Sequence, residues 1–418
     1  MLSTDVTIIG GGCVGLTAAL GLANNGFKVL VIDKGPDTAT LSEPELRVSA
    51  ISAASENILK AVGAWSNLAD ERLSPYQTMS VWDKDSFGKI HFDSHKIGHS
   101  HLGHIIENNH IKNALIEAAN SNSNIQLKYN AGVASIHNDE EQVLITLDDG
   151  KPVISKLVVA ADGANSWVRK QLNLAITFSD YDHHAIVATI KTSEPHNRCA
   201  RQVFLPDGPL ALLPLWQENE CSIVWSTKPA HAELLFAMTD EEFNRAITAA
   251  TDSVVGPIEL ASKRMSVPLT MRYANQWLDK RVVLMGDAAH TIHPLAGLGM
   301  NLGLLDAASL VQLLDKPEAL SGIELHSLLR KYERWRKSEA QTFIAAMAGL
   351  KELFDGSDPL KKLIRGVGLA LTDASPLAKD MIIQQAMGLA GDYLRWRNLL
   401  TPFSNQNSIM FQINITNP

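Results

Sequence analysis

Val6-Thr7-Ile8-Ile9-Gly10-Gly11-Gly12-Cys13-Val14-Gly15, running on through LTAALGLANNGFKVLVID to Asp33, is the stretch that decides the fold. The apolar run Val6 to Ile9 enters a glycine turn. A small-residue helical pattern follows and stops at Asn24-Asn25-Gly26, and a second apolar run ends on an acid, Asp33. Strand, glycine turn, helix, strand and acid together are a βαβ unit. Such a turn lets backbone N–H groups approach a pyrophosphate at a helix N-terminus, and Gly15 lets helix and strand pack closely. Asp33 lies eighteen positions after Gly15, near the spacing of an acid that binds ribose hydroxyls. The segment therefore predicts dinucleotide binding.

Outward from this unit, the composition narrows the class. A chain of 418 residues can bury a large core and is long enough for two domains. The net charge of −8, with no basic stripe interleaved with aromatics, argues against nucleic acid as a partner. Cys13, Cys199 and Cys221 show no metal-ligand spacing and are too few for a disulfide framework, so no metal is expected and the reduced cytoplasm is the simplest home. The N-terminal apolar stretch is broken by glycines and reads as the βαβ unit rather than a secretion signal. No apolar run reaches the length of a membrane span.

Further along, residues 51–65 read as a helix ending near Gly63, 78–93 as a hairpin around Gly88, and Ile111 to Ala119 as a helix. From His184 to Thr227 the pattern is β, and Arg281 to Met285 returns as a buried strand. From Leu325 onward it is helical, with breaks at Gly356, Pro359 and Pro376. The expected fold class is α/β: a Rossmann-like domain interrupted by a mostly antiparallel β-sheet domain, with C-terminal helices. The expected boundaries are 1–75, 101–182 and 277–320 for the dinucleotide domain, and 76–100 and 183–276 for the β-rich domain. A helical region follows at 321–400 and a tail at 401–418.

Three other stretches carry chemistry. Leu157 to Arg169 places Asp162-Gly163 where a buried strand ends, just before a helix starting near Ser166. Gly286 to Asn301, GDAAHTIHPLAGLGMN, follows a strand and leads into an apolar helix with Gly299 and Met300 near its N-terminus. That end carries roughly half a positive charge, which would stabilise the anionic pyrimidine ring of a reduced flavin. Glu45-Leu46-Arg47-Val48-Ser49-Ala50-Ile51-Ser52 puts Arg47 ahead of a helix start.

Jointly these pieces resemble the group A flavin monooxygenases, and so imply a para-hydroxybenzoate hydroxylase-like fold. Arg47 to Ser52, Gly103-His104-Ile105-Ile106-Glu107-Asn108, and Gly286 to His290 with Pro294 to Gly297 look like the ubiquinone-biosynthesis FAD-dependent hydroxylase family. Val81 to Gly88 and His99 to His104 look most like its 2-polyprenylphenol 5-hydroxylase branch. The resemblance covers about residues 4–390. It implies that Gly10, Gly12 and Gly15 line the FAD pyrophosphate, that Asp33 holds the adenosine ribose and that Arg47 contacts FAD. It puts Asp162 and Gly163 near the cofactor, Asp287 at the ribityl or pyrophosphate region, and Pro294, Gly297, Gly299, Met300 and Asn301 around the isoalloxazine. The family commonly has glutamine where this chain has Leu298.

By the same resemblance, reduced FAD takes up O₂ as a C4a-hydroperoxide that hydroxylates a polyprenylphenol at ring carbon 5. The external reductant would be NAD(P)H or an electron-transfer protein; no second nucleotide motif reports which. His290 and His293 flank the flavin motif and are the weak catalytic candidates; His104 and His184 fit structural roles better. Phe204, Leu212, Pro214 and Trp225 are candidate substrate-lining residues on the β sheet. Lys331, Arg334, Arg336, Lys337, Lys361, Lys362 and Arg365 lie among apolar residues and suggest peripheral contact with anionic lipid. Other ubiquinone-biosynthesis proteins and a second copy of the chain are further candidate partners. Two alternatives stay open: a non-catalytic flavoprotein assembly subunit, and another flavoenzyme of the same fold, such as a polyprenyl reductase.

Overall fold

The computed structural model describes residues 2–37, 45–292, 299–354 and 359–388. It opens with the βαβ unit: β1 (Leu2–Ile9), α1 (Cys13–Asn24) and β2 (Val29–Ile32). Helix α1 is buried on nearly every side, which its Gly15, Ala18, Ala19 and Gly21 make possible. Next come β3 (Val48–Ser52) and α2 (Ala53–Ala61), joined by a Ser52 hydroxyl that caps the helix by accepting from the Ser55 N–H. A short β4 (Ser74–Tyr76) precedes the hairpin of β5 (Thr78–Asp83) and β6 (Lys89–Asp93), then β7 (Gly103–Glu107) and α3 (Asn108–Asn120). Strands β8 (Ile125–Lys128), β9 (Val133–Asn138), β10 (Val143–Leu147) and β11 (Pro152–Ala160) lead to α4 (Trp167–Gln171).

The β-rich part follows. It contains β12 (Ile176–Thr192), β13 (Cys199–Leu205), β14 (Gly208–Pro214), β15 (Glu220–Thr227), α5 (Pro229–Ala237), α6 (Asp240–Ala250), β16 (Ile258–Leu260) and β17 (Met265–Ala274). Short strands β18 (Leu278–Asp279), β19 (Val282–Leu284) and β20 (His290–Thr291) precede α7 (Gly299–Leu313), α8 (Gly322–Phe354), α9 (Pro359–Ala374) and α10 (Pro376–Ala386).

Three sheets organise these elements. The first has the order β18-β19-β11-β1-β2-β8, with β1 parallel to both β11 and β2 and with β9 and β10 attached beside β11. Its apolar strands pack against α1, α3 and α7 in the largest core. The second sheet, β20-β17-β12-β15-β14-β13-β5-β6, buries one face under α5 and α6. Its other face meets the third sheet, β3-β7-β4, through Ala211, Leu213 and Leu215 against Ala50 and Ile105. The expected hairpin, the Asp-Asp-Gly turn and the helical C-terminal part all appear; the break at Gly356 lies outside the described residues.

Candidate functional site

The glycine turn is shaped by close backbone approach. Gly10 has φ +112°, and a Cβ there would fall on the carbonyl oxygen of Ala161 at the end of β11. A Cβ on Gly15 would fall on the Gly10 carbonyl oxygen. No side chain caps α1, whose N-cap is Gly12, so its first N–H groups face outward. Asp33 braces the turn: Oδ2 accepts from the Gly11 N–H at 2.5 Å and Oδ1 from the Gly35 N–H at 2.6 Å. Beside it opens a cavity of about 430 Å³ whose lining includes Gly10, Gly12, Asp33, Lys34, Asp162 and Gly163. Two sequence motifs 150 residues apart thus share one recess because β1 and β11 are neighbours. Asp162 does local work too. Its Oδ2 accepts from the Trp167 and Val168 N–H groups at 2.7 and 3.1 Å, capping α4, while its buried Oδ1 has no hydrogen-bond partner.

The Gly286-Asp287 turn is held from behind by a residue that the motif reading missed. Asp306, fully buried in α7, accepts from the Gly286 N–H at 3.0 Å and from His290 Nε2 at 2.7 Å on Oδ2, and from Arg336 Nε at 2.6 Å on Oδ1. Burial alone would lift the Asp306 carboxyl; His290 and Arg336 more than offset this and hold it below the ordinary carboxylate range. His290 also stacks on Trp277, centroids 5.0 Å apart. It is therefore a positioning residue, with Nε2 committed to Asp306. Asp287 itself is exposed. Desolvation raises its carboxyl above the ordinary range, Asp306 adds to the rise, and His290, Arg272 and Arg47 pull against it. Arg47, exposed at the start of β3, and Arg272 of β17 thus share the field around Asp287.

The N-terminus of α7 points its first turn into the same region. Among the described residues nothing crowds a Cβ on Gly299, and half-buried Met300 packs on the core. Asn301 is buried and engaged elsewhere: Oδ1 accepts from the Ser52 N–H at 2.9 Å and Nδ2 donates to the Ala50 carbonyl at 2.7 Å, locking α7 to β3. His293, Pro294 and Gly297 lie outside the described residues.

The substrate-face candidates need correction. Strand alternation sends Leu212 and Trp225 into the core beneath α5 and α6, and Trp225 packs edge-on against His231. Pro214 pairs with Cys221 of that same face. Phe204, opposite Pro209, shares instead the face of Ala211. The side turned toward the FAD-type motifs carries Ala211, Leu213, Leu215 and Val224, with Trp216 stacked under the Arg72 guanidinium at 4.8 Å. The basic C-terminal surface is corrected in part as well. Arg336 and Arg365 are buried, Lys362 pairs with Asp85 at 2.8 Å, and Lys337 donates to the Asn275 carbonyl at 2.6 Å. Lys331 and Arg334 are exposed, and the Lys361 side chain lies outside those described. Asp306 was detectable as the lone charge in an apolar helix; Arg336, set among other charges, gave no such signal.

Comparison with known proteins agrees with this geometry. Residues 3–346 match the FAD binding domain family. The 3-demethoxyubiquinol 3-hydroxylase of Escherichia coli (strain K12) is 31% identical over 389 residues, covering 92% of this chain and 99% of that protein. The mitochondrial ubiquinone biosynthesis monooxygenase COQ6 of Homo sapiens is 33% identical over 431 residues, covering 91% of each. The crystal structure of p-nitrophenol 4-monooxygenase PnpA from Pseudomonas putida DLL-E4 matches in fold, with a TM-score of 0.75 over 94% of this chain and 99% of that one at 20% identity. The residues fit FAD: a cavity lined by glycines, of which Gly10 has no room for a Cβ, an uncapped helix N-terminus for a pyrophosphate, and a carboxylate, Asp33, in the lining. The chain belongs to the FAD-dependent hydroxylase family of ubiquinone biosynthesis, the group A flavin monooxygenases.

Proposed function

We propose that this hydroxylase acts on a 2-polyprenylphenol and adds its hydroxyl at ring carbon 5, with electrons from NAD(P)H or an electron-transfer protein. What supports the substrate class is the likeness to quinone-pathway hydroxylases. Where the second and third sheets meet, Leu213, Leu215 and Val224 pack with Val48, Ala50 and Ile105. This apolar seam is the proposed seat of a prenylated ring, each buried CH₂ contributing about 0.8 kcal/mol. FAD, when bound, supplies the redox and oxygen chemistry. The chain's own part is to hold and enclose. Gly10, Gly12, Gly15 and Asp33 bind the adenosine end, and Asp287 with Arg47 and Arg272 brackets the middle. The start of α7 sets a positive end against the ring system. Keeping the phenol ionised at pH 7 costs on the order of 4 kcal/mol, and exclusion of water by the apolar walls strengthens any donor aimed at that oxygen.

A second reading, hydroxylation of a demethoxyquinol, is favoured by the likeness to the Escherichia coli protein. The two separate cleanly. The FAD-loaded protein is given a short-chain 2-polyprenylphenol or a short-chain demethoxyubiquinol, with each reductant in turn, and products are read by mass spectrometry and NMR. A new hydroxyl at carbon 5 of the phenol supports the proposal. Turnover of the demethoxyquinol alone replaces it with the second reading, and bound FAD with no product from either favours an assembly role.

We also propose peripheral membrane contact, through apolar rather than basic residues. No described helix is long and apolar enough to cross a membrane. However, Leu363, Val367 and Leu371 form an exposed stripe on α9, and Leu377, Met381 and Ile382 are exposed on α10.

A further inference from the structure

We propose that Glu56, His101 and His104 form a binding site for one divalent transition-metal ion of the Zn²⁺ class, which clamps α2 to β7 and the loop before it. Glu56 Oε2 lies 2.8 Å from His101 Nε2 and 3.2 Å from His104 Nδ1, and the three ligand atoms fall within 4.8 Å of one another. Atoms bound tetrahedrally at about 2.1 Å stand about 3.4 Å apart, so the carboxylate oxygen would draw back from both nitrogens while the two nitrogens, no more than 4.8 Å apart, adjust to the same spacing. The two histidines have H-x-x-H spacing, His101-Leu102-Gly103-His104, and the carboxylate comes from the first turn and a half of α2.

A self-contained hydrogen-bond cluster does not account for the arrangement. His101 and Glu56 satisfy each other, but buried His104 Nδ1, 3.2 Å from the same oxygen, makes no hydrogen bond of good geometry among the described residues. One carboxylate oxygen is faced by two imidazole nitrogens, and a cation at their focus satisfies all three. The surroundings suit ligation. Ser100 Oγ lies 2.8 Å from His101 Nδ1 and orients the ring with Nε2 toward Glu56. Lys60 sits on the other oxygen, Oε1, at 2.6 Å, where it opposes an ion by charge but does not occupy its place. Trp65 packs edge-on against His104, centroids 5.1 Å apart, and holds that ring in position.

Two imidazoles with one carboxylate select Zn²⁺, Co²⁺ or Ni²⁺ over Mg²⁺ and Ca²⁺. The expected role is structural. Leu102, between the two histidines, packs on Ile383 and Met387 at the end of α10, and the Ala54 N–H of α2 donates to the Met387 carbonyl at 3.1 Å. A bound ion would therefore stiffen the seat of α10.

The test uses the full-length FAD-loaded protein, stripped with a chelator and titrated with Zn²⁺ by calorimetry and with Co²⁺ by visible absorption. The expected result is one equivalent bound, tetrahedral Co²⁺ bands and a higher Tm with Zn²⁺. Glu56→Gln and His104→Phe should each weaken binding by more than about a hundredfold and abolish the Tm shift, with bound FAD retained. If Glu56→Gln fails to fold, His104→Phe decides, because it keeps an aromatic ring against Trp65. No stoichiometric binding, or binding that survives His104→Phe unchanged, overturns the site.

Discussion

A single carboxyl, Asp306, shows how much one residue carries here. It lies in α7 among leucines and alanines, yet it fastens the Gly286 turn, His290 and Arg336 at once. Replacing it with asparagine leaves the buried Arg336 guanidinium with Glu339, at 2.5 Å, in place of two carboxylates. We expect Asp306→Asn to cost about 3–5 kcal/mol in urea unfolding, with loss of bound FAD. The pH dependence follows from the sign of the shift. The folded carboxyl is held below its unfolded value, so its stabilisation is full above the ordinary carboxylate range and disappears as pH falls through the depressed value. The acid limb of a Tm-against-pH curve should therefore be shallower in Asp306→Asn than in the parent. Gly10 is the second sharp case. Alanine there meets both a left-handed φ and the Ala161 carbonyl, so Gly10→Ala should purify colourless and take up little FAD, as read by absorbance. Retention of a full complement of flavin would contradict the close-approach argument.

Helix α9 shows how an element is seated by charge. Arg365 meets Asp83 at 3.1 Å, Lys362 meets Asp85, and Asp373 accepts from the His91 N–H at 3.0 Å, all on the β5–β6 hairpin. Arg365 and Asp83 are both buried, so their ion pair is made away from water and losing the Asp83 carboxylate weakens the seat of α9. Asp83→Ala should make residues 359–388 the first site of limited trypsin cleavage while the flavin domain keeps its FAD. Undisturbed α9 would mean that packing, not the ion pair, seats it. The same ion pairs turn the basic side of α9 inward and leave Leu363, Val367 and Leu371 facing out. Leu371→Glu combined with Leu377→Glu should reduce co-sedimentation with anionic vesicles by more than about half, without changing bound flavin. An equal loss from neutralising Lys331 and Arg334 would restore the electrostatic reading.

At the scale of the whole molecule, the second sheet divides two cores, and the proposed substrate wall lies in only one of them. Leu212 belongs to the side under α5 and α6, while Leu213 belongs to the side facing the flavin domain. Leu212→Ala should cost about 2–5 kcal/mol of stability and leave KM for a prenylated substrate unchanged at a temperature where the protein is folded. Leu213→Ala should raise KM. If both variants shift KM equally, the sheet does not separate core from substrate wall.

The sequence by itself determined the βαβ unit, its cofactor and the family, because the requirements of a glycine turn are short-range: a positive φ, absent side chains and an acid one strand away. The Asp-Gly and Gly-Asp motifs were legible for the same reason. Only the tertiary structure decided which side of the sheet holds the candidate substrate wall, since the run Leu210-Ala211-Leu212-Leu213-Pro214-Leu215 is apolar at every position and hides its alternation when both faces are buried. It alone buried Arg336 against Asp306, thirty residues away, and turned Arg365 inward. It alone brought Glu56 beside His101 and His104. Burial and ion pairing of this kind are set by how distant elements pack, and no local pattern encodes them.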